Sequence, residues 1–296
     1  MRWMSEGVGR SGTALVVEGG GMRGIFTAGV LDVFAEKGVG PFGLYIGVSA
    51  GALTLSSYLS GQAGRNLTIL TGAGMSPQFM SFRRFLLGGH WIDMDWAFET
   101  WERERPTDIA AALAHLAGRQ FLAVCTSVAT GQAVYLEPRA ENWIDCLRAT
   151  SALPVYYRGF IDIGGQELAD GSMAAPLPVA EAIARGARRI IVLRTRPSDF
   201  RARLGAMERY VAFKVRGRRA LQQAGYRHPS VYNASVELIA HPPEGVDVLE
   251  IAPPVPLRTG RTHPTEDSLK QDYESGRAAA LAGLVRMAAL GVAVSG

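Results

Sequence analysis

Thr13-Ala14-Leu15-Val16-Val17-Glu18-Gly19-Gly20-Gly21-Met22-Arg23-Gly24 is the stretch on which the fold turns. Its apolar run from Ala14 to Val17 stops at three glycines, the pattern of a buried strand entering a tight loop. Beyond the loop, Ile25, Val30, Leu31 and Phe34 recur at helical spacing as far as Lys37-Gly38, where Gly38 suits a C-cap. Strand, glycine loop and helix in that order form the first unit of an α/β fold.

A second unit follows at once. Leu44 to Val48 reads as a short buried strand, Ser49 sits at its end, and Ala50 to Leu59 continues as a helix stopped near Gly61. Further along, Phe121 to Val128 and Gln132 to Leu136 predict a hairpin, and Trp143 to Ser151 a helix ending before Pro154. Gly159 to Asp170 holds two strand-like pieces around Gly164-Gly165, Pro178 to Arg185 is helical, and Arg189 to Leu193 and Val248 to Ile251 are strands. The tail from Arg277 to Val294 reads as a packed amphipathic helix. Strands alternating with helices predict a three-layer α/β/α sandwich around a mainly parallel central sheet. Asn66 to Ala117 lacks a clear period. Trp91, Trp96 and Trp101 recur there every five residues, which would set them on different helix faces, so the region is either satellite packing or a lid.

The 296 residues are 48% hydrophobic and 20% charged, values of a chain able to bury a sizeable core. Cys125 and Cys146 have neither metal-ligand nor disulfide-framework spacing and read as buried small hydrophobes. Residues 1–12 read as an N-terminal extension without the apolar run of a secretory signal, so a cytoplasmic location, peripheral to the membrane, is expected. The net charge of +4 is unevenly spread: Ser198 to Ser230 carries +6 and the remainder −2. Such a basic segment is either a solvated helix face or a surface that attracts anionic lipid head groups or nucleic acid, of which the solvated face is the simpler reading. No nucleic-acid partner is expected.

Gly47-Val48-Ser49-Ala50-Gly51 fits Gly-x-Ser-x-Gly, which puts a serine on a sharp strand-to-helix turn, raised for attack. The pattern is short enough to arise by chance; here the strand before it and the helix after it supply the required context. Gly19-Gly20-Gly21-Met22-Arg23-Gly24 is the rarer motif. Glycines at a strand end expose backbone N–H groups and the next helix adds partial positive charge, so the loop suits an anion. If the anion is an oxyanion, the donors are Gly19, Gly20 and Gly21, with Ala50. The same residues also fit a dinucleotide fingerprint, but that reading wants an acid about 20 positions on, where the sequence has Gly43-Leu44-Tyr45-Ile46-Gly47. Ser49 needs a base. A Ser-Asp-His order can be drawn through Ser49, Asp170 and His263, although the elbow falls on only the second strand, early for that arrangement. Asp162 is a lesser candidate.

Taken together, the GGGMRG loop, the GVSAG elbow and Asp170-Gly171 resemble the three blocks of patatin-like phospholipases, in the same order, from about Ala14 to about Thr195. Residues after Val248, including Pro254 to Arg261, are similar to the C-terminal part of a bacterial branch of that family. The resemblance implies a catalytic core over residues 13–200, with residues 201–296, including a basic helical segment, packed on the same domain. It implies a phospholipase A or lysophospholipase-type lipid esterase with Ser49 as nucleophile, Asp170 as base and the glycine loop as oxyanion hole. Met22, Arg23, Gly24, Gly47, Gly51 and Gly171 complete the motifs, and no metal or organic cofactor is implied. The expected partners are a lipid or other acyl-ester substrate and an anionic membrane surface. This chain departs from the family after Asp170-Gly171, where Ser172 follows and Ala175 rather than asparagine precedes Pro176. A Ser-His-Asp esterase of another fold, and a lipid- or nucleotide-binding protein without activity, are the alternatives.

Overall fold

The computed structural model describes residues 12–262 and 264–294. Nearly all of the expected N-terminal extension, and His263, lie outside them. The chain runs β1 (Thr13–Val17), α1 (Gly24–Glu36), β2 (Leu44–Val48), α2 (Ala50–Leu59), then the helices α3 (Arg65–Thr71), α4 (Phe82–Leu86), α5 (Met94–Glu104) and α6 (Ile109–Leu116). It continues with β3 (Gln120–Ser127), β4 (Ala133–Leu136), α7 (Trp143–Ser151), β5 (Ile161–Ile163), β6 (Gln166–Asp170), α8 (Val179–Ala184) and β7 (Arg189–Leu193). The last elements are α9 (Ala206–Lys214), α10 (Arg219–Ala240), β8 (Asp247–Ile251) and α11 (Glu266–Ala289).

The sheet order is β5-β6-β3-β2-β1-β7-β8, with β4 paired to β3 off that path. From β3 to β8 every pairing along this path is parallel, and β6 and β5 add an antiparallel margin. Strand side chains alternate between faces, and the sequence alternates apolar residues on both. Leu15, Val17, Tyr45, Ile191 and Leu193 enter the core beneath α1, α2 and α11. Ala14, Val16, Leu44, Ile46, Ile190 and Val192 enter a second core beneath α8 and α10. Helices therefore cover both faces, giving the expected α/β/α layers.

Several elements differ from the sequence expectation. The final helix starts at Glu266 rather than Arg277, closed by a capping box in which Thr265 accepts from the Ser268 N–H and Ser268 accepts in return. Asn66 to Ala117 resolves into short helices; on α5, Trp101 is buried and Trp96 half-buried. The basic segment is α9 and the first half of α10, a helix that carries Pro229 in its interior. The C-terminal residues complete the central layers, because β8 pairs with β7 and α11 lies along α1. Among the described residues no helix is long and apolar enough to cross a membrane.

Candidate active site

β2 runs into α2 with a single residue between them. That residue, Ser49, has φ 52° and ψ −126°, a backbone state that costs a residue with a Cβ on the order of 1–3 kcal/mol. The surroundings impose it. The Ser49 N–H donates to Thr150 Oγ1 at 2.9 Å, and the Thr150 hydroxyl in turn donates to the carbonyl of Val124 on β3. The Ser49 carbonyl accepts from Ala52 and Leu53 in the first turn of α2. The turn also needs its glycines: a Cβ at Gly47 would lie 2.5 Å from Ala52 Cα, and one at Gly51 2.4 Å from the Val17 carbonyl oxygen.

The glycine loop lies against this elbow. A Cβ at Gly19 would stand 2.8 Å from the Val48 carbonyl oxygen and 3.0 Å from Ser49 Cβ, so the two motifs are in van der Waals contact. Thr195, beyond the end of β7, ties the loop down by donating its hydroxyl to the Gly19 carbonyl at 2.8 Å. The Met22 N–H donates to the Arg261 carbonyl at 3.3 Å. Among the described residues no backbone acceptor is found for the N–H groups of Gly20, Gly21 and Ala50. All three residues line one cavity with Ser49.

Asp170 ends β6 opposite Cys125 of β3. Its N–H donates to the Ala152 carbonyl at 3.0 Å, and the Thr126 hydroxyl donates to the Asp170 carbonyl at 2.8 Å. Its carboxylate accepts from the Ser172 N–H at 2.8 Å, and the Ser49 hydroxyl lies near enough to help hold its charged form. The residue is only 2% exposed. Burial raises the carboxyl pKa above the ordinary carboxylate range, against the pull of the Ser172 N–H, the Ser49 hydroxyl, the Ser172 hydroxyl and the Arg261 charge. A serine hydroxyl beside a buried carboxylate and unengaged N–H groups can lose its proton on attack and have the oxyanion formed on the substrate held.

The cavity over Ser49, about 200 Å³, has two unlike walls. Leu53, Ile69, Phe79, Phe98, Trp101 and Leu147 form an apolar one, so the cover formed by α3 and α5 contributes side chains to the site. Arg23, Arg196, Arg261 and Tyr232 form a polar one. Arg23 is 6% exposed, and its pKa is pulled down to about 9 by burial and by the charges of Arg261 and Arg196.

Other sequence candidates lie elsewhere. Asp162 is exposed on β5, where it accepts from the Gly165 N–H of the hairpin turn. His90 stacks on Tyr157, and His115 packs between Tyr45 and Tyr58. Of the described histidines only His228 lines the cavity, next to Tyr232. Among the described residues no group of three His, Cys, Asp or Glu side chains is placed to hold a metal ion. Sequence reasoning missed Thr150, Thr195, Arg196 and Arg261, because each reaches the site from far along the chain and none belongs to a local motif.

Residues 15–183 match the patatin-like phospholipase family, and residues 219–290 match a domain of unknown function, DUF6363. The chain is 34% identical over 268 residues to the uncharacterized protein YjjU of Escherichia coli (strain K12), covering 89% of this chain and 74% of that one. Among solved structures it is similar to VipD from Legionella pneumophila, with a TM-score of 0.47 and 15% identity over 93% of this chain and 67% of that one.

Proposed function

The chain belongs to the patatin-like phospholipase family, and from that premise we propose that it is a serine acyl hydrolase acting on lipid esters through a Ser49–Asp170 dyad. The observation that carries this reading is that Ser49, on its strained elbow, and the buried Asp170 carboxylate line one cavity together with the glycine loop.

In the proposed reaction Ser49 Oγ bonds to the ester carbonyl carbon while Asp170 takes the hydroxyl proton. The carbonyl oxygen becomes an oxyanion and accepts from the N–H groups of the glycine loop, with Gly20 and Gly21, and of Ala50. Removal of one such donor typically lowers kcat about 10²–10³-fold. Collapse of the tetrahedral species expels the alcohol, which recovers the proton from Asp170 and leaves an acyl-serine. Asp170 then draws a proton from water, the hydroxide oxygen attacks the acyl carbon, and the fatty acid departs as Ser49 is restored. The raised pKa suits Asp170 to the task, since a carboxylate that holds a proton more tightly is a stronger base.

Incubation with phospholipids, lysophospholipids and short p-nitrophenyl esters, reading released acid, tests the assignment. Wild type is expected to release acid and to be labelled at Ser49 by a fluorophosphonate; Ser49→Ala is expected to do neither. Hydrolysis that persists unchanged in Ser49→Ala overturns the reading. Membrane contact belongs to the same proposal: Phe82, Leu86 and Leu87 project from α4 beside Arg83, an apolar tip with a basic flank.

A further inference from the structure

The glycine loop is held at both of its ends by residues far along the chain. At its entrance the buried carboxylate of Glu18 accepts from the Thr195 N–H at 2.6 Å and from the Tyr232 hydroxyl of α10 at 2.9 Å. Tyr232 accepts in turn from Arg194 at 2.9 Å, and Arg194, which has no exposed surface, is paired with Glu250 of β8 at 2.5 Å. At the exit of the loop the Arg261 carbonyl takes the Met22 N–H, and a Cβ at Gly21 would lie 2.8 Å from that carbonyl oxygen. The turn that offers the carbonyl is clamped by Asp272 of α11, whose buried carboxylate accepts from the Arg258 N–H at 3.2 Å and the Thr259 N–H at 2.6 Å.

These contacts decide where the N–H groups of the loop point. A trans peptide is planar, with its C=O and N–H directed oppositely. The Thr195 hydroxyl holds the Gly19 carbonyl, so the Gly20 N–H of the same peptide is turned away from Thr195. Thr195 is itself fixed by Glu18, and Glu18 by Tyr232. Burial and the Glu18 charge push the Tyr232 pKa up, so the phenol keeps the proton it donates. A buried arginine with its carboxylates is weak evidence for stability, because desolvation offsets most of the attraction. Fixed geometry counts for most beside donors that must meet a developing charge within about 0.5 Å.

We infer that Tyr232 and Asp272 are positioning residues that set the oxyanion donors of the glycine loop from outside the residues that carry the dyad. Both lie in residues 219–290, the stretch that matches a domain of unknown function, and the inference gives that stretch a part in catalysis. It rests on the hydrolase reading above.

Tyr232→Phe keeps the ring and removes the hydroxyl, and Asp272→Ala removes the clamp. With a short p-nitrophenyl ester each is expected to lower kcat by about tenfold to hundredfold and to leave KM within about twofold, because the donors act on the oxyanion more than on the ground-state carbonyl. An alkyl boronic acid, which forms a tetrahedral adduct on a reactive serine, is expected to lose affinity by the same factor as kcat/KM. Adding Glu18→Gln to Tyr232→Phe should cost little more than either change alone, since the tyrosine acts through that carboxylate. Tyr226→Phe, exposed on the same helix, is the control and should match wild type in every constant. Folded variants with wild-type kcat and boronic acid affinity, or a loss confined to KM, overturn the inference.

Amide exchange read by NMR separates the positioning role from the reaction. Exchange is expected to quicken at Thr195 in Tyr232→Phe and at Met22 in Asp272→Ala, while the amides of β2 keep their wild-type rates. Unchanged exchange at both amides overturns the inference whatever the kinetics. If wild type cleaves no ester and a fluorophosphonate does not label Ser49, the hydrolase reading fails instead, and the exchange rates alone decide whether Tyr232 and Asp272 hold the loop.

Discussion

Asp170 is buried without a bonded cation, and that burial favours the proposed chemistry while opposing the fold. Its carboxyl pKa is raised mainly by desolvation, so the folded protein holds this proton more tightly than the unfolded chain does. For an acid shifted in this direction the stabilising contribution is complete below the unfolded value of about 3.9, and it declines as pH rises through the higher folded value. Asp170→Asn keeps an acceptor for the Ser172 N–H and removes the buried charge. It is therefore expected to lower kcat by about 10²–10⁴-fold while raising Tm at alkaline pH, with the Tm gain shrinking as pH falls toward the unfolded value of about 3.9. A calorimetric gain that does not shrink contradicts the shift. By the same logic kcat/KM for a neutral ester should fall on acidification with an apparent pKa above the ordinary aspartate range, and a midpoint at or below about 4 would contradict it. Thr150 tests the elbow separately. Thr150→Val leaves the Ser49 N–H and the Val124 carbonyl without their partner, a loss of about 1–3 kcal/mol for an unsatisfied buried group. The expected signature is a lowered kcat with nearly constant KM, recovered by Thr150→Ser, which restores the hydroxyl.

The elements that carry the motifs were legible in the sequence because their signals are local. Leu44 to Val48, Ser49 and Ala50 to Leu59 read as strand, elbow and helix from the apolar run, the glycines and the length alone, and β2 and α2 have those limits. The cover over the cavity was not legible. α3, α4 and α6 are short, and most of their apolar residues are only half-buried or exposed, so no helical stripe emerges from the composition. α10 was obscured differently: Leu221, Ala224, Tyr232, Val236 and Ile239 are its buried stripe, but basic residues and Pro229 interrupt the pattern a reader would follow. The start of α11 was missed because its capping partner is Ser268 rather than the more familiar Glu or Gln. α4 has a role to test at this scale. Leu86 and Leu87 are 69% and 78% exposed at its C-terminal end, where an apolar tip gains only by meeting another apolar phase. Replacing both by serine is expected to weaken sedimentation with anionic vesicles by about tenfold or more, given roughly 1.5–3 kcal/mol for each fully buried leucine. Turnover of a soluble short-chain ester should change far less. Unchanged vesicle binding would remove α4 from the membrane contact.

Across the whole molecule, the site is assembled from both ends of the chain, and the α1–α11 contact is what joins them. Tyr273 donates its hydroxyl to Asp32 at 2.6 Å, and Arg277 grips Glu36 with two bonds of 2.7 and 2.9 Å. Beside those contacts the helices meet closely at glycines: a Cβ at Gly276 would lie 2.0 Å from the Phe26 carbonyl oxygen, and one at Gly29 2.1 Å from that of Tyr273. Backbone cannot yield as a flexible side chain can, so a larger residue must push α11 away from α1. α1 begins directly after the glycine loop, and Arg261, five residues before α11, holds Met22 of that loop through its carbonyl. Separation of the two helices therefore disturbs the oxyanion donors and the polar wall of the cavity as well as the packing. Gly276→Val is expected to destabilise the fold by about 1–3 kcal/mol or more, read as a lower Tm, and to reduce kcat/KM further than the unfolded fraction explains. Gly217→Ala is the matched control, since a Cβ there meets nothing within 4 Å, and its Tm should stay near that of wild type. If Gly276→Val loses stability while its folded fraction retains full activity, the two ends are joined only mechanically and the loop keeps its geometry without α11.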